Sequence, residues 1–440
     1  MDWKDLLSKE RLGRTRPTNS DARSPYQRDY DRIVFSSAFR RLQDKTQVFP
    51  LAESDYVRTR LTHSLEASCV GRSLGTLVGD FAIKEGKLNG FTPQDFGNIV
   101  AAACIAHDIG NPPFGHSGED AIRLWFKTAE KDLLAGLTPS ERADFLEFEG
   151  NAQGFRILTR LQQRQNVGGL QLTYAVLGAF SKYPRESALR GMDLKKVSEK
   201  KFGFFQSESG HFEKVARALA LKTKTNRAWC RHPLAFLTEA ADDICYLIVD
   251  FEDGYRRGHV PFSNIEKLFK EIAFRGANGQ QSSYQKINDE RQKIEYLRAR
   301  VINALILAVA EGFKENVAQI LDGNFEQPLM SVVPFRAPLD EIERISIADV
   351  YGAPTVVQIE TAGFEVLGGL LKCVVPALLV DESNRSPAER KMLALLPPEL
   401  RTGTNNYEKL LNATDFVSGM TDLFAVTLFR RLKGIELPRS

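Results

Sequence analysis

The segment PLAFLTEAADDICYLIVD, Pro233 to Asp250, constrains the fold more than any other. It is apolar on nearly every face, so it belongs inside the molecule with other elements around it. Yet Glu239, Asp242, Tyr246 and Asp250 recur at helical spacing and form one polar stripe along it. Buried carboxylates are costly unless they are paired, hydrogen-bonded or bound to a metal. The stripe therefore either meets Arg and Lys partners in a salt-bridged core or lines a cavity that holds a cation.

Helical periodicity dominates the rest of the chain. Apolar residues at three-to-four spacing run through 60–83, 95–109, 118–134, 141–163, 285–314, 360–380 and 412–433. Strand-like alternation is scarce, and Lys201–Gln206 and Ile345–Val350 are the best candidates for short strands. The predicted fold is all-α, a helical bundle with minor short β-strands. Gly110-Asn111-Pro112-Pro113 should end the 95–109 helix sharply. Ser117 followed by Asp120 reads as a capping box that starts the next one. The run Gly276–Ser283 is the most linker-like stretch. It divides a main domain, 1–275, from a helical C-terminal part, 276–440.

Composition removes several functional classes. The formal charge is only +3 over 440 residues, so a polyanion-wrapping role is not indicated and any anion site must come from local clustering. The five cysteines are widely spaced without a CxxC pair. Four have apolar neighbours, which predicts buried free thiols and a reducing, cytoplasmic setting. The N-terminus is charged throughout, unlike a secretory leader. The apolar stretch Val366–Val380 is interrupted by Lys372 and Pro376, which reads as too short and broken to span a bilayer.

Three of the six histidines lie in two short segments: His63 in RTRLTHSLEA, and His107 and His116 in AHDIGNPPFGHSGED. The His107-Asp108 pair supplies an imidazole nitrogen and a carboxylate oxygen, donors that suit a divalent cation. With His63 and Asp242 it makes an ordered set of four N/O ligands. His116 and Glu119, three apart at a helix start, can approach as a proton-transfer pair or simply decorate a helix N-terminus.

The set His63, His107-Asp108, Asp242 is the signature of the HD phosphohydrolase superfamily. The chain resembles one family within it, the deoxyguanosine triphosphate triphosphohydrolases. The resemblance runs through Ser24–Pro50, Arg58–Ala67, Ala106–Glu119, Phe148–Leu158, Lys201–Glu208, Leu237–Gly254 and Asp415–Asp422. It implies hydrolysis of a deoxynucleoside triphosphate to deoxynucleoside and inorganic triphosphate. It implies His63, His107, Asp108 and Asp242 as ligands of manganese or magnesium, and His116 with Glu119 as the catalytic pair. It further implies Arg60 and Lys182 at the phosphates, Tyr183 beside Lys182 as a substrate-binding residue, and Gln47, Tyr246 and Asp250 at the deoxyribose. Asn111 would face the substrate as well. Homo-oligomers, hexamers or tetramers, are expected by the same resemblance.

Two alternatives stand beside this reading. Another HD-superfamily nucleotide phosphohydrolase would keep the metal set but lose the sugar contacts. A single-stranded nucleic-acid-binding protein would use the basic clusters Arg11, Arg14, Arg16 and Arg40, Arg41, Lys45 with Tyr26, Tyr30, Phe35 and Phe39 between them. Single-stranded DNA is thus a possible added partner.

Overall fold

The structure, a computed structural model, describes residues 1–14, 22–47, 58–129, 131–188, 193, 195–275 and 281–436. Eleven of its helices matter here. They are α1 (Pro25–Val34), α2 (Arg60–Gly86), α3 (Pro93–Ala106), α4 (Gly115–Thr128), α5 (Gly150–Arg156), α6 (Tyr174–Phe180), α7 (Pro233–Arg256), α8 (Glu290–Glu315), α9 (Pro354–Leu379), α10 (Asn406–Ser418) and α11 (Asp422–Leu432). The fold is all-α as the periodicity predicts.

The apolar segment opening the sequence argument is α7, and α2, α3, α6 and α8 pack around it. Glycines set how close α2 and α3 come. A Cβ at Gly75 would lie 2.7 Å from the Phe96 carbonyl oxygen, and one at Gly71 would lie 2.5 Å from Cys104 Sγ. With hydrogens there, the two backbones meet, and α3 is sealed: Val100 through Ala103 are fully buried. Close packing of this kind makes a rigid floor for the residues that follow α3.

The interior consists of two apolar clusters that interleave along the chain. One gathers α1, α2, α3, α6, α7 and α8 with the segment up to Val356. The other joins α4 to α9, α10 and α11, together with Phe202 and Phe205. The candidate site residues lie where these clusters meet.

Several local expectations are corrected. Among the described residues the strands are Thr223–Thr225 (β1) and Ala228–Trp229 (β2), an antiparallel pair. Lys201–Phe205 forms no strand and Gln206 begins a short 3-10 helix, and Ile345–Val350 is helical. Short alternating runs do not separate a strand from a helix with one buried side. The 141–163 run is broken at 147–149, where Gly150 must approach Glu119: its amide donates to Glu119 Oε1 at 2.6 Å. The 412–433 run is two helices, the second capped by Thr421. No Ser117 capping box forms; α4 starts at Phe114, left-handed at φ +63° and without a side-chain cap. Of the Gly276–Ser283 run, 276–280 lies outside the described residues and Gln281–Gln285 is helical.

Three cysteines, not four, are buried: Cys104, Cys230 and Cys245, whereas Cys69 is exposed and Cys373 half-buried; all five are free thiols. The stretch with Lys372 and Pro376 belongs to an unbroken helix, α9, longer than expected. By length and composition alone α9 could cross a membrane, but half of its apolar window is buried inside the protein. Its buried face supplies Val366, Leu367, Leu370, Leu371 and Val374 to the second cluster.

Candidate active site

One cavity of about 540 Å³ opens between the two clusters. Twelve of the thirteen side chains singled out from the sequence line it: Gln47, Arg60, His63, His107, Asp108, Asn111, His116, Lys182, Tyr183, Tyr246, Asp242 and Asp250. Glu119, the thirteenth, lies behind His116 and is buried.

At the floor, His63 and Asp108 are buried with His107 beside them, and one ligand atom from each falls within 4.8 Å of the others. Asp242 Oδ1 lies 3.1 Å from His63 Nε2 and 3.3 Å from His107 Nε2. His107 Nδ1 is 2.7 Å from the Cys104 carbonyl oxygen. A carbonyl only accepts, so Nδ1 carries the proton and Nε2 turns a lone pair toward the other three side chains. That nitrogen is buried and has no hydrogen-bond partner among the described residues. A buried acceptor without a donor is costly, and a divalent cation would satisfy it. The donor set of two imidazoles and two carboxylates therefore fits a metal ion.

The geometry of this floor comes from the turn after α3. A Cβ at Gly110 would lie 2.0 Å from the Gly150 carbonyl oxygen and 2.1 Å from the Gly154 amide nitrogen. Only glycine lets the turn lie against α5 and aim Asp108 inward. Arg60 Nη1 donates to Asp108 Oδ2 at 2.9 Å, and the Asn111 amide donates to Asp108 Oδ1. Burial raises the Asp108 carboxyl, but the Arg60 guanidinium beside it outweighs burial and holds the group ionised.

The stripe on α7 meets cationic partners, and part of it also lines the cavity. Glu239 is salt-bridged: Arg231 donates to both of its oxygens, at 2.7 and 3.1 Å. Asp242, one turn on, faces the cavity and receives Lys182 Nζ at 2.6 Å. Burial pushes Asp242 up, and the Lys182 ammonium beside it brings it well below the usual carboxylate range. Asp243 also lines the cavity. Burial, then the charges of Glu239 and Asp242, raise it well above that range, so the neighbouring carboxyls are driven apart.

At the mouth, His116 Nδ1 lies 2.9 Å from Glu119 Oε2, and the imidazole is 79% exposed. The carboxylate accepts, so Nδ1 is the protonated nitrogen of the neutral ring and Nε2 is left as a base. Burial raises Glu119, while His116, Lys201 and Arg123 lower it further, to about 2. Glu149, close to the same cations, is raised to about 7 by burial and by the charge of Glu119.

An HD domain is matched over residues 60–161. A deoxyguanosinetriphosphate triphosphohydrolase-like protein of Synechocystis sp. is 47% identical, covering 99% of this chain and all of its own. One of Pseudomonas aeruginosa is 39% identical over the full length of both. The deoxyguanosinetriphosphate triphosphohydrolase of Salmonella arizonae is 32% identical over 93% of this chain and 94% of its own. The chain belongs to the deoxyguanosinetriphosphate triphosphohydrolase-like family of HD-domain hydrolases.

For a member of this family, the side chains that sequence reasoning missed are instructive. Lys201 lines the cavity 3.6 Å from Glu119 Oε2 and 3.3 Å from Glu149 Oε2. Tyr351 stacks on Tyr246, with ring centroids 5.3 Å apart, and donates to Asp250 Oδ2 at 3.1 Å. Glu360, on α9, also lines the wall. Lys201 stood in a block already singled out, so its charge was the available signal. Tyr351 and Glu360 carried none, since they reach the cavity from a segment remote in sequence. Gln47 Oε1 and Asp250 Oδ1 are buried without hydrogen-bond partners among the described residues. Burial raises Asp250 to about 7.

The basic and aromatic residues of the N-terminal region do not form one surface. Arg11, Lys45, Tyr26 and Phe39 are buried. Arg16 lies outside the described residues. Phe35 is 76% exposed, over a separate cleft shared with Arg23, Arg28 and Arg32.

Proposed function

We propose that the protein is a metal-dependent deoxynucleoside triphosphate triphosphohydrolase, cleaving its substrate at the α-phosphorus to deoxynucleoside and inorganic triphosphate. One observation carries the reading. The His63, His107, Asp108 and Asp242 cluster opens into the same cavity as Gln47, Tyr246 and Asp250, two of which have buried oxygens without partners. A phosphohydrolase indifferent to the sugar has no need of the second group.

His63, His107, Asp108 and Asp242 would hold a divalent ion, manganese or magnesium. Such an ion polarises a phosphate oxygen and lowers the pKa of a bound water. The chain supplies the rest. Arg60, Lys182 and Lys201 line the cavity and would neutralise the triphosphate as negative charge builds on its α-phosphoryl oxygens. Tyr183 closes the same wall, with Arg231 over its ring at 5.4 Å. His116 Nε2 accepts a proton from the attacking water or returns one to the leaving oxygen, and Glu119 fixes the tautomer. Gln47 and Asp250 would bind the 3′-hydroxyl, whose one proton would go to one of their unpartnered oxygens. Tyr246, held flat against Tyr351, would crowd the 2′ position and disfavour ribonucleotides. Asn111, which orients Asp108, sits where a substrate contact is also within reach.

We read the protein further as a cytoplasmic homo-oligomer, a hexamer or tetramer. Leu423 and Phe424, exposed on α11, support association. Single-stranded DNA is the weaker partner, because the burial of Arg11, Lys45, Tyr26 and Phe39 dismantles the patch that suggested it.

The deciding experiment incubates pure protein with each deoxynucleoside triphosphate, singly and mixed, with manganese. Inorganic triphosphate and deoxynucleoside in equal amounts are expected. Orthophosphate or pyrophosphate would point instead to another HD-type phosphohydrolase.

A further inference from the structure

The block DFVSGMTD, Asp415 to Asp422, has no part in the chemistry above, yet its last residue touches two walls of the cavity. Asp422 begins α11 and is 2% exposed. Its Oδ2 accepts from the Thr46 amide at 2.9 Å, and its Oδ1 accepts from the Phe114 amide at 3.1 Å. Thr46 precedes Gln47. Phe114 is the left-handed residue from which α4 starts, two positions before His116. It has no side-chain cap of its own. A single buried carboxylate thus ties the segment bearing Gln47 to the helix bearing His116 and Glu119.

Lys45 reinforces the tie from the other side. It is buried, and its Nζ donates to the carbonyl oxygens of Asn111 and Ser418, at 2.5 and 2.9 Å. Its carbonyl accepts from the Arg60 amide at 3.0 Å. The turn between α10 and α11 is therefore fastened to the start of α2, to the turn after α3 and to the start of α4.

We propose that Asp422 is a positioning residue for the reaction: it sets the distance between the Gln47 wall and the His116 wall. This rests on the function proposed above. Hydrogen bonds from amides to a carboxylate are strong and short, and both bonds here are buried. If they hold the spacing, losing one shifts His116 relative to the sugar contacts. Misplacement by about 1 Å can cost about 10²-fold in rate. Asp422 touches none of the metal-ligand candidates, so metal binding should be indifferent to it.

The test compares Asp422→Asn with Thr421→Ala. Asp422→Asn keeps the shape but turns an NH₂ toward one of the amides. Thr421→Ala removes only the cap of α11, a hydroxyl that accepts from the Phe424 amide at 3.3 Å. Manganese binding without nucleotide, melting temperature, kcat and KM are measured for each. Asp422→Asn is expected to lower kcat by about tenfold or more, with manganese affinity unchanged and a melting temperature no lower than that of Thr421→Ala. Thr421→Ala should melt earlier and keep its kcat. Equal kcat losses in the two variants, a wild-type kcat in Asp422→Asn, or loss of manganese binding would each overturn the proposal. If Asp422→Asn does not fold, Asp422→Ser, which keeps one acceptor, is measured by the same criteria. If the wild-type protein yields no inorganic triphosphate, the functional reading has failed rather than the clamp. The Thr46 and Phe114 amides then decide: they should exchange slowly in the wild type and quickly in Asp422→Asn, and rapid exchange in the wild type overturns the tie.

Discussion

Two buried charge clusters in this protein look alike in a list of residues and differ in kind. In one, Arg156 donates through Nε and Nη2 to Asp415 and through Nη1 to Glu208, at 2.8 to 3.1 Å. Ser207 Oγ donates to the remaining Glu208 oxygen, so all the charged atoms are partnered, and the cluster lines none of the described cavities. In the other, His63, His107, Asp108 and Asp242 crowd together beside a cavity, and His107 Nε2 and His63 Nδ1 have no partner among the described residues. Buried charge by itself therefore says little about function. What separates the two is ring nitrogens left unpartnered among side chains that line a cavity.

That comparison can be broken by substitution, and the largest effect should fall on the second cluster. Asp242→Asn keeps the volume and removes the charge. Turnover of deoxynucleoside triphosphate should drop by about 10³-fold or more, together with manganese binding in calorimetry, while urea unfolding stays cooperative. Retained manganese affinity would place the second cluster in the same class as the first. His116→Gln should keep manganese and lower kcat by about 10² to 10⁴-fold, and a wild-type kcat would remove it from proton transfer. Asp415→Ala should do the reverse of Asp242→Asn. It leaves the Arg156 guanidinium buried without its main partner, which costs about 3–5 kcal/mol in urea unfolding, with manganese binding intact in the folded fraction. A loss below about 1 kcal/mol would mean that water reaches Arg156.

The smallest effect concerns a third buried carboxyl, Asp144. It accepts from Ser187 Oγ, Tyr407 Oη and the Gln206 amide, yet burial raises it to about 7. A carboxyl raised in the folded state binds more protons there than in the unfolded chain, from the ordinary carboxylate range up to about pH 7. The stability it contributes is present at low pH and is lost as pH rises through that window. Asp144→Asn has no such proton to lose. Between about pH 5 and pH 7 the wild type should lose stability relative to the variant, by at most about 1.4 kcal/mol per pH unit. A gap that stays constant with pH would mean Asp144 is ionised throughout.

Legibility varied with how local the determining physics was. The burial of α7 and the sharp turn at Gly110–Pro113 depend on residues within a few positions of each other, and periodicity and chain breakers expose them, whereas spacing alone left His116 and Glu119 between a proton-transfer pair and the decoration of a helix start. The break at 147–149 was hidden, because it arises from the approach of Gly150 to Glu119 across 31 positions. The start of α4 was misread for the same reason. Phe114 is held by Asp422, 308 positions away, and no capping pattern nearby hints at it. Tyr351 and Glu360 escaped notice because nothing in their own neighbourhood marks a cavity.

The sequence by itself determined that this chain is helical and that one buried helix carries acidic groups needing partners. Through the resemblance to the HD signature it also implied which His and Asp residues belong together, whereas the need of the α7 acids for partners follows from periodicity and the cost of burying charge. Only the tertiary structure decided which acid on that helix is closed off by Arg231 and which faces open space. It alone brought α4 under the helices from residue 354 onward and hung two cavity walls on Asp422. Those outcomes depend on which surfaces meet across hundreds of residues, and a linear pattern of polar and apolar positions carries no record of that.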